Sequence, residues 1–135
     1  MFTEVIKKIN QKEYKEAEKT LKKIIKNNPK NTRAHYLVGI VYLKLNKIDQ
    51  SYTHLKEALS FNESKEYLFA YAEVLLKKNF LIEAENCYKK ILIEDSENEH
   101  VIINIAYLYY MMNRYKESEY YYLKAIGLKP QNPDY

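Results

Sequence analysis

The feature that most limits what this chain can become is a set of small residues that returns at an almost constant interval. Gly39, Ala72 and Ala106 stand 33 and 34 residues apart, and Ala17, Ser51, Ala84 and Ser118 stand 34, 33 and 34 apart. Two further apolar columns keep step: Leu21, Leu55, Tyr88 and Tyr122 come four after the second set, and Ile24, Ala58, Ile91 and Ala125 three beyond those. Between these columns apolar side chains recur at three- and four-residue spacing, the period of an amphipathic helix. The fullest unit runs from Glu99 to Asn132, with one helix expected from Val101 to Met112 and a second from Tyr115 to Leu128. Asn46, Asn79 and Asn113 fall between the paired helices, and asparagine tolerates the left-handed backbone that ends a helix. Pro29 and Pro130 cannot continue one, although Glu63 and Ser96 take that place in the middle units.

A period near 34 with paired helices resembles the tetratricopeptide repeat family. The residues that carry the resemblance are the small-residue columns, Tyr42 and Tyr109 three after the first small residue, and Tyr14 and Tyr115 opening the second helix. It extends over nearly the whole chain and departs at His35, Leu68 and Ile102, where a large aromatic is usual. It implies an all-α, right-handed solenoid of about four helix-turn-helix repeats, eight helices, in one domain over residues 1–135. The repeats fall at about 1–30, 31–64, 65–98 and 99–132, and 133–135 read as the start of a further one. Small residues let helix axes approach; a bulky side chain at such a crossing costs roughly 1 to 3 kcal/mol. No unit alone encloses enough core to stand, so stability is expected from stacking on neighbours.

In the first unit Phe2, Val5, Ile6 and Ile9 keep helical spacing, but they align with later units only if one residue is missing from the turn near Lys12. Its second helix is expected from Tyr14 to about Ile25. Asn31, Ser64 and Asn98 stand where a side-chain oxygen can cap the following helix.

The longest apolar run, Ala106 to Met112, is far short of the ~20 residues a membrane crossing requires. The opening MFTEVIKKINQ carries Glu4 and lysines inside its apolar positions, unlike a secretory signal. A lone Cys87 allows no internal disulfide, and a cytoplasmic setting is expected. Residues 1–30 hold nine lysines against four glutamates, a net of +5, which leaves −1 for the remainder of a chain of net charge +4. Lys15, Lys19, Lys22 and Lys26 line one side of a helix there. That stripe reads either as a site for an acidic partner or, more commonly, as a solvated face balanced by Glu16 and Glu18.

No catalytic, metal-binding or cofactor-binding constellation emerges. His35 is expected in a core-facing column, His54 on the outer face of its helix and His100 at the mouth of the inner face, so the three are not expected to converge. Cys87 reads as a surface or packing thiol rather than a nucleophile, and Asp95 and Glu97 as solvated charges at a helix start. Nucleic-acid binding is disfavoured, because equivalent inner positions hold unlike residues: Arg33, Glu66 and His100 in one column, Ile40, Glu73 and Tyr107 in another.

The resemblance implies that the first helices of successive units line a concave surface that holds extended peptides or helices. Carried over residue by residue, the partner-binding groove comprises Arg33, Tyr36, Leu37 and Ile40, then Phe69 and Glu73, then His100, Ile103, Asn104 and Tyr107, with Leu43, Ala70, Leu76 and Tyr110 beside them. Part of this lining, Leu43 and Tyr110 especially, is expected to be buried between units. Of the cations and amides with which family members clamp acidic chaperone tails, only Lys7, Arg33 and Asn104 are candidates here, and Leu37 and Ala70 stand where an amide or a cation would be wanted, so such a clamp is not expected. The function expected is a non-catalytic adaptor or scaffold binding a protein segment in an apolar groove. The alternative is the leading region of a longer enzyme or regulator, presenting its substrates or partners. Asn132-Pro133-Asp134-Tyr135 reads as a helix start, so the natural chain is expected to continue, and the open side of unit four to be hidden by self-association.

Overall fold

The computed structural model describes residues 2–128. Pro130 and the helix start read at Asn132-Pro133-Asp134-Tyr135 lie outside them. Among the described residues there are eight α-helices and no strand: α1 Thr3–Asn10, α2 Tyr14–Asn27, α3 Thr32–Lys44, α4 Ile48–Phe61, α5 Lys65–Lys77, α6 Leu81–Glu94, α7 Glu99–Met111 and α8 Tyr115–Leu128. They pack as hairpins, α1 with α2, α3 with α4, α5 with α6 and α7 with α8, and each hairpin stacks on the next through α2–α3, α4–α5 and α6–α7. Short connections make paired helices antiparallel neighbours. The result is an all-α solenoid.

The crossings fall at the small residues. A Cβ added to Gly39 would lie 2.6 Å from Leu55 Cγ and Cδ2, so α3 and α4 touch there with no room for a methyl group. Ala17, Ala72, Ala84 and Ala106 are fully buried. In two hairpins a hydroxyl also closes the crossing: Ser51 Oγ donates to the Gly39 carbonyl at 2.7 Å and Ser118 Oγ to that of Ala106 at 2.8 Å. The core is continuous in kind but divided among the joints. Leu21 packs with Val38, Val41 and Tyr42, Leu55 with Ala70 and Val74, and Tyr88 with Val101, Ile105 and Leu108.

Turn chemistry sets the hairpins. Asn46, Asn79 and Asn113 adopt φ of 59°, 64° and 62°. The first hairpin corrects the expectation of a missing residue, because Lys12 holds the same place at φ 63°. Each turn closes with the same pair of bonds, as in Lys12 N–H to Ile9 O and Glu13 N–H to Lys8 O, or Asn113 N–H to Tyr110 O and Arg114 N–H to Tyr109 O. Lysine lacks the short polar side chain that eases this conformation, which costs a residue with a Cβ roughly 1 to 2 kcal/mol. Val5, buried in the core, thereby falls in the column of Gly39, Ala72 and Ala106. Asn31, Ser64 and Asn98 cap α3, α5 and α7, accepting from the N–H groups of Ala34, Tyr67 and Val101.

Candidate functional site

Three first helices, α3, α5 and α7, contribute to one open pocket of about 440 Å³ lined by Tyr36, Glu66, Phe69, His100 and the stem of Lys65. α3 touches α5 directly, and across that contact Tyr36 stacks on Tyr67 with centroids 4.5 Å apart. Phe69 meets the ring of Tyr88 edge-on, at 6.2 Å. Burial, with Glu66 nearby, raises the pKa of Tyr36, which keeps its phenol neutral and a hydrogen-bond donor. Further along, Glu73 has its carboxyl pKa raised by desolvation, against the opposing pull of Lys44 and Lys77. The Tyr88 hydroxyl, beside Asn104, is buried without a well-formed hydrogen bond.

The residues read from the sequence as a groove divide by exposure. Arg33, Glu73, His100 and Tyr107 are exposed, and Tyr36, Ile40, Phe69, Ile103 and Asn104 are half-buried. Leu37 is 6% exposed and packs with Val5, Leu21 and Val38, so it belongs to the core and not to the lining; Ala70 is buried too. Tyr110 departs from the burial expected between units, being 57% exposed. Its counterpart Leu43 packs against Ala70 and Val74 of the following first helix, whereas no first helix follows α7 among the described residues. Lys65, Ile91, Asn98 and Val101 line the pocket without having been read as part of it. Asn98 and Lys65 meet at one carboxylate there: Asn98 Nδ2 donates to Asp95 Oδ2 at 3.1 Å while Lys65 Nζ reaches the same oxygen at 3.4 Å. Asp95 is thus a partnered residue rather than a free helix-start charge.

Two histidines do converge, contrary to the reading of the sequence. His35 Nδ1 lies 2.9 Å from His54 Nδ1, and His35 Nε2 lies 2.7 Å from the Pro29 carbonyl. The carbonyl can only accept, so Nε2 of His35 carries a proton, and one of the two facing Nδ1 atoms donates to the other. His54 faces into the joint because α4 turns it toward α3, where Tyr42 also meets it at 5.6 Å. The equivalent places in the next hairpin hold Leu68 and Cys87. Cys87 is buried, and desolvation pushes its thiol up to about 11, so it packs as a small apolar group. Among the described residues no three His, Cys, Asp or Glu side chains gather as for a metal ion, and no helix is long and apolar enough to cross a membrane.

The joints between hairpins carry a device absent from the sequence reading. Tyr109 Oη donates to Glu85 Oε2 at 2.6 Å, and Glu85 also holds Arg114 Nη1 at 3.2 Å and Lys89 Nζ at 3.1 Å. The guanidinium lies 4.4 Å over the Tyr109 ring. Glu18 repeats this, with Lys22 at 3.2 Å, Lys47 at 3.8 Å and Tyr42 as hydrogen-bond partner, and Lys47 lies over the Tyr42 ring. Burial alone would raise both carboxyls, yet the tyrosine and the cations hold Glu18 and Glu85 below the usual carboxylate range. The middle joint replaces all three members together: Tyr52, Leu75 and Phe80 stand in the places of Glu, Tyr and cation, and Tyr52 meets Phe80 edge-on.

Hairpins closed by small-residue crossings and stacked one on the next, with an open pocket across their first helices, define a helical-hairpin repeat protein. Two tetratricopeptide repeat models match the sequence, one over residues 8–73 and one over residues 100–132. The chain belongs to the tetratricopeptide repeat family. It is similar to the crystal structure of MamA at 18% identity, covering 92% of this chain and 73% of that one with a TM-score of 0.84. MamA 41-end from Desulfovibrio magneticus RS-1 matches at 16% identity over 96% of this chain and 73% of that one, TM-score 0.87. YrrB, described as a TPR protein with an unusual peptide-binding site, matches at 21% identity over 93% of this chain and 65% of that one, TM-score 0.85. At these identities the likeness is one of fold. No curated protein matches the sequence significantly.

Proposed function

We propose that this chain is a non-catalytic adaptor that holds a peptide or helical segment of a partner protein along the first-helix groove. The observation that carries the reading is the open pocket shared by α3, α5 and α7, with Tyr36 and Phe69 in its wall and Tyr107 standing 53% exposed beyond it. Aromatic side chains on rigid helices bring large contact area at low entropic cost, and such anchors contribute ~2 kcal/mol or more at interfaces. Arg33 and Glu66 at one end, and Glu73 and Asn104 further in, supply the few polar groups that fix a segment's direction. The lysine stripe on α2 is the solvated face in this account, with Lys22 tied to Glu18.

Panning a displayed peptide library on the immobilised chain tests it. Enriched peptides should lose binding to the Tyr36→Ala, Phe69→Ala and Tyr107→Ala variants while the helical circular dichroism stays intact, and moderate salt should matter little. Peptides indifferent to all three substitutions but released by moderate salt would move the site to the lysine stripe.

A further inference from the structure

We propose that the first-helix groove takes a basic segment, and that Glu73 is the specificity-determining residue, receiving a lysine or arginine of the partner beside an apolar anchor at Tyr36 and Phe69. The inference rests on the groove reading above and adds to it the chemical class of the partner. Ile40, Glu73 and Tyr107 hold the same place on α3, α5 and α7, so one carboxylate stands midway across the groove, with an aliphatic residue to one side and an aromatic one to the other. Phe69 lies one helical turn before it on the same face of α5. Its charge is felt by the phenols of both Tyr36 on α3 and Tyr88 on α6, which sets it inside the concave surface and not on the rim.

What this carboxylate lacks is a cation. Glu18, Asp49 and Glu85 each hold one, whereas Glu73 makes no ion pair or side-chain hydrogen bond among the described residues. Lys44 and Lys77, one turn further along α3 and α5, pull on it from a distance, and both are exposed. Glu73 is open to water, yet the walls of the groove desolvate it enough to raise its carboxyl pKa against those lysines. A charge held where its surroundings disfavour it is relieved by a docked cation. The rest of the groove agrees in sign. Glu66, two turns earlier on α5, is exposed and also without an ion pair, and no cation separates it from Glu73 along the helix. The cations at that end are engaged: Lys65 with Asp95, and Arg33 over the ring of Phe2. A partly desolvated ion pair is screened less than an exposed one, so the weak salt dependence expected of the groove still holds.

A displayed random peptide library panned on the wild-type chain supplies the probe, a fluorescein-labelled enriched peptide titrated by anisotropy. Enriched peptides that depend on Tyr36 and Phe69 should share a lysine or arginine. Glu73→Gln should bind them about tenfold more weakly, and exposed Glu94→Gln at the end of α6 should bind them as the wild type does. Exchanging the peptide's cation for glutamate should abolish binding to the wild-type chain and restore it to Glu73→Arg. Since Glu73 has no partner to lose, the urea midpoint of Glu73→Gln should equal or exceed that of the wild type. A lowered midpoint would mean that the carboxylate serves the fold, and would overturn the inference. Peptides that need Tyr36 and Phe69 but share no cation, bind Glu73→Gln undiminished or show no charge-reversal rescue overturn it too, and leave the groove reading standing. Peptides indifferent to both aromatic residues, or no enrichment at all, overturn both.

Discussion

Replacing Glu85 by glutamine tests how the hairpins are joined, because it removes one charge and keeps the shape. The carboxylate is 8% exposed and serves three partners, Tyr109, Arg114 and Lys89. A hydrogen bond to a charged acceptor contributes about 1.5 to 3 kcal/mol. The ion pairs add less, since Arg114 is 35% and Lys89 52% exposed and water screens them. The amide of glutamine still accepts from Tyr109, so Glu85→Gln should cost about 1 to 2 kcal/mol, and Glu85→Ala, which orphans the tyrosine, about 2 to 4. Urea unfolding of Glu85→Gln, Tyr109→Phe and the double variant closes a cycle whose coupling should be about 1 kcal/mol at neutral pH. The pH dependence follows in sign. A carboxyl whose folded pKa is depressed stabilises above its ordinary value of 4.5, and that contribution is lost as pH falls through the lower folded value. The gap between wild type and Glu85→Gln should therefore close in acid. A coupling near zero at neutral pH, or a gap that persists in acid, would refute this account of the joint.

Three further outcomes follow from the packing and the turns. Ala106→Leu should destabilise by roughly 1 to 3 kcal/mol in a thermal melt, since Ala106 is fully buried at the α7–α8 crossing, while Lys116→Ala should be nearly neutral. Lys12→Asn should stabilise by about 0.5 to 1 kcal/mol in urea unfolding by placing in the first turn the residue type the other three use. His54 has its pKa lowered by desolvation, with His35 and Lys22 adding to it and Glu57 opposing. The unfolded chain thus takes up the proton first, and stability should fall as pH drops below 6.5. Replacing His35 by leucine and His54 by cysteine, the pair that α5 and α6 carry, should flatten the denaturation midpoint between pH 7 and 5.

The fold was legible because its determinants are local and repeat. Gly39, Ala72 and Ala106 mark crossings, and Asn46, Asn79 and Asn113 mark turns, in columns that need no partner to be recognised. The turn at Lys12 was misread because lysine gives no sign of a left-handed backbone. His35 and His54 were separated in the reading because the equivalent residues elsewhere, Leu68 with Cys87, are apolar, so the pair exists in one hairpin and leaves no column. The glutamate joints were missed for the opposite reason. Their members lie on different hairpins, and the clue was a shared spacing of 24 residues from Glu18 to Tyr42 and from Glu85 to Tyr109. Leu37 was placed in the groove because one helical face serves both groove and core, and periodicity does not say where one ends.

Photo-crosslinking tests the central claim, that the first-helix groove holds a protein segment, most directly. A benzophenone amino acid placed at Tyr36, Phe69 or Tyr107, and for comparison at Thr53 on the exposed side of α4, would be irradiated in cells of the source organism and the adducts identified by mass spectrometry. The account predicts a common polypeptide joined at all three groove positions through one short segment, and none at Thr53. Adducts that form equally at Thr53, or groove positions that yield no polypeptide, would contradict it.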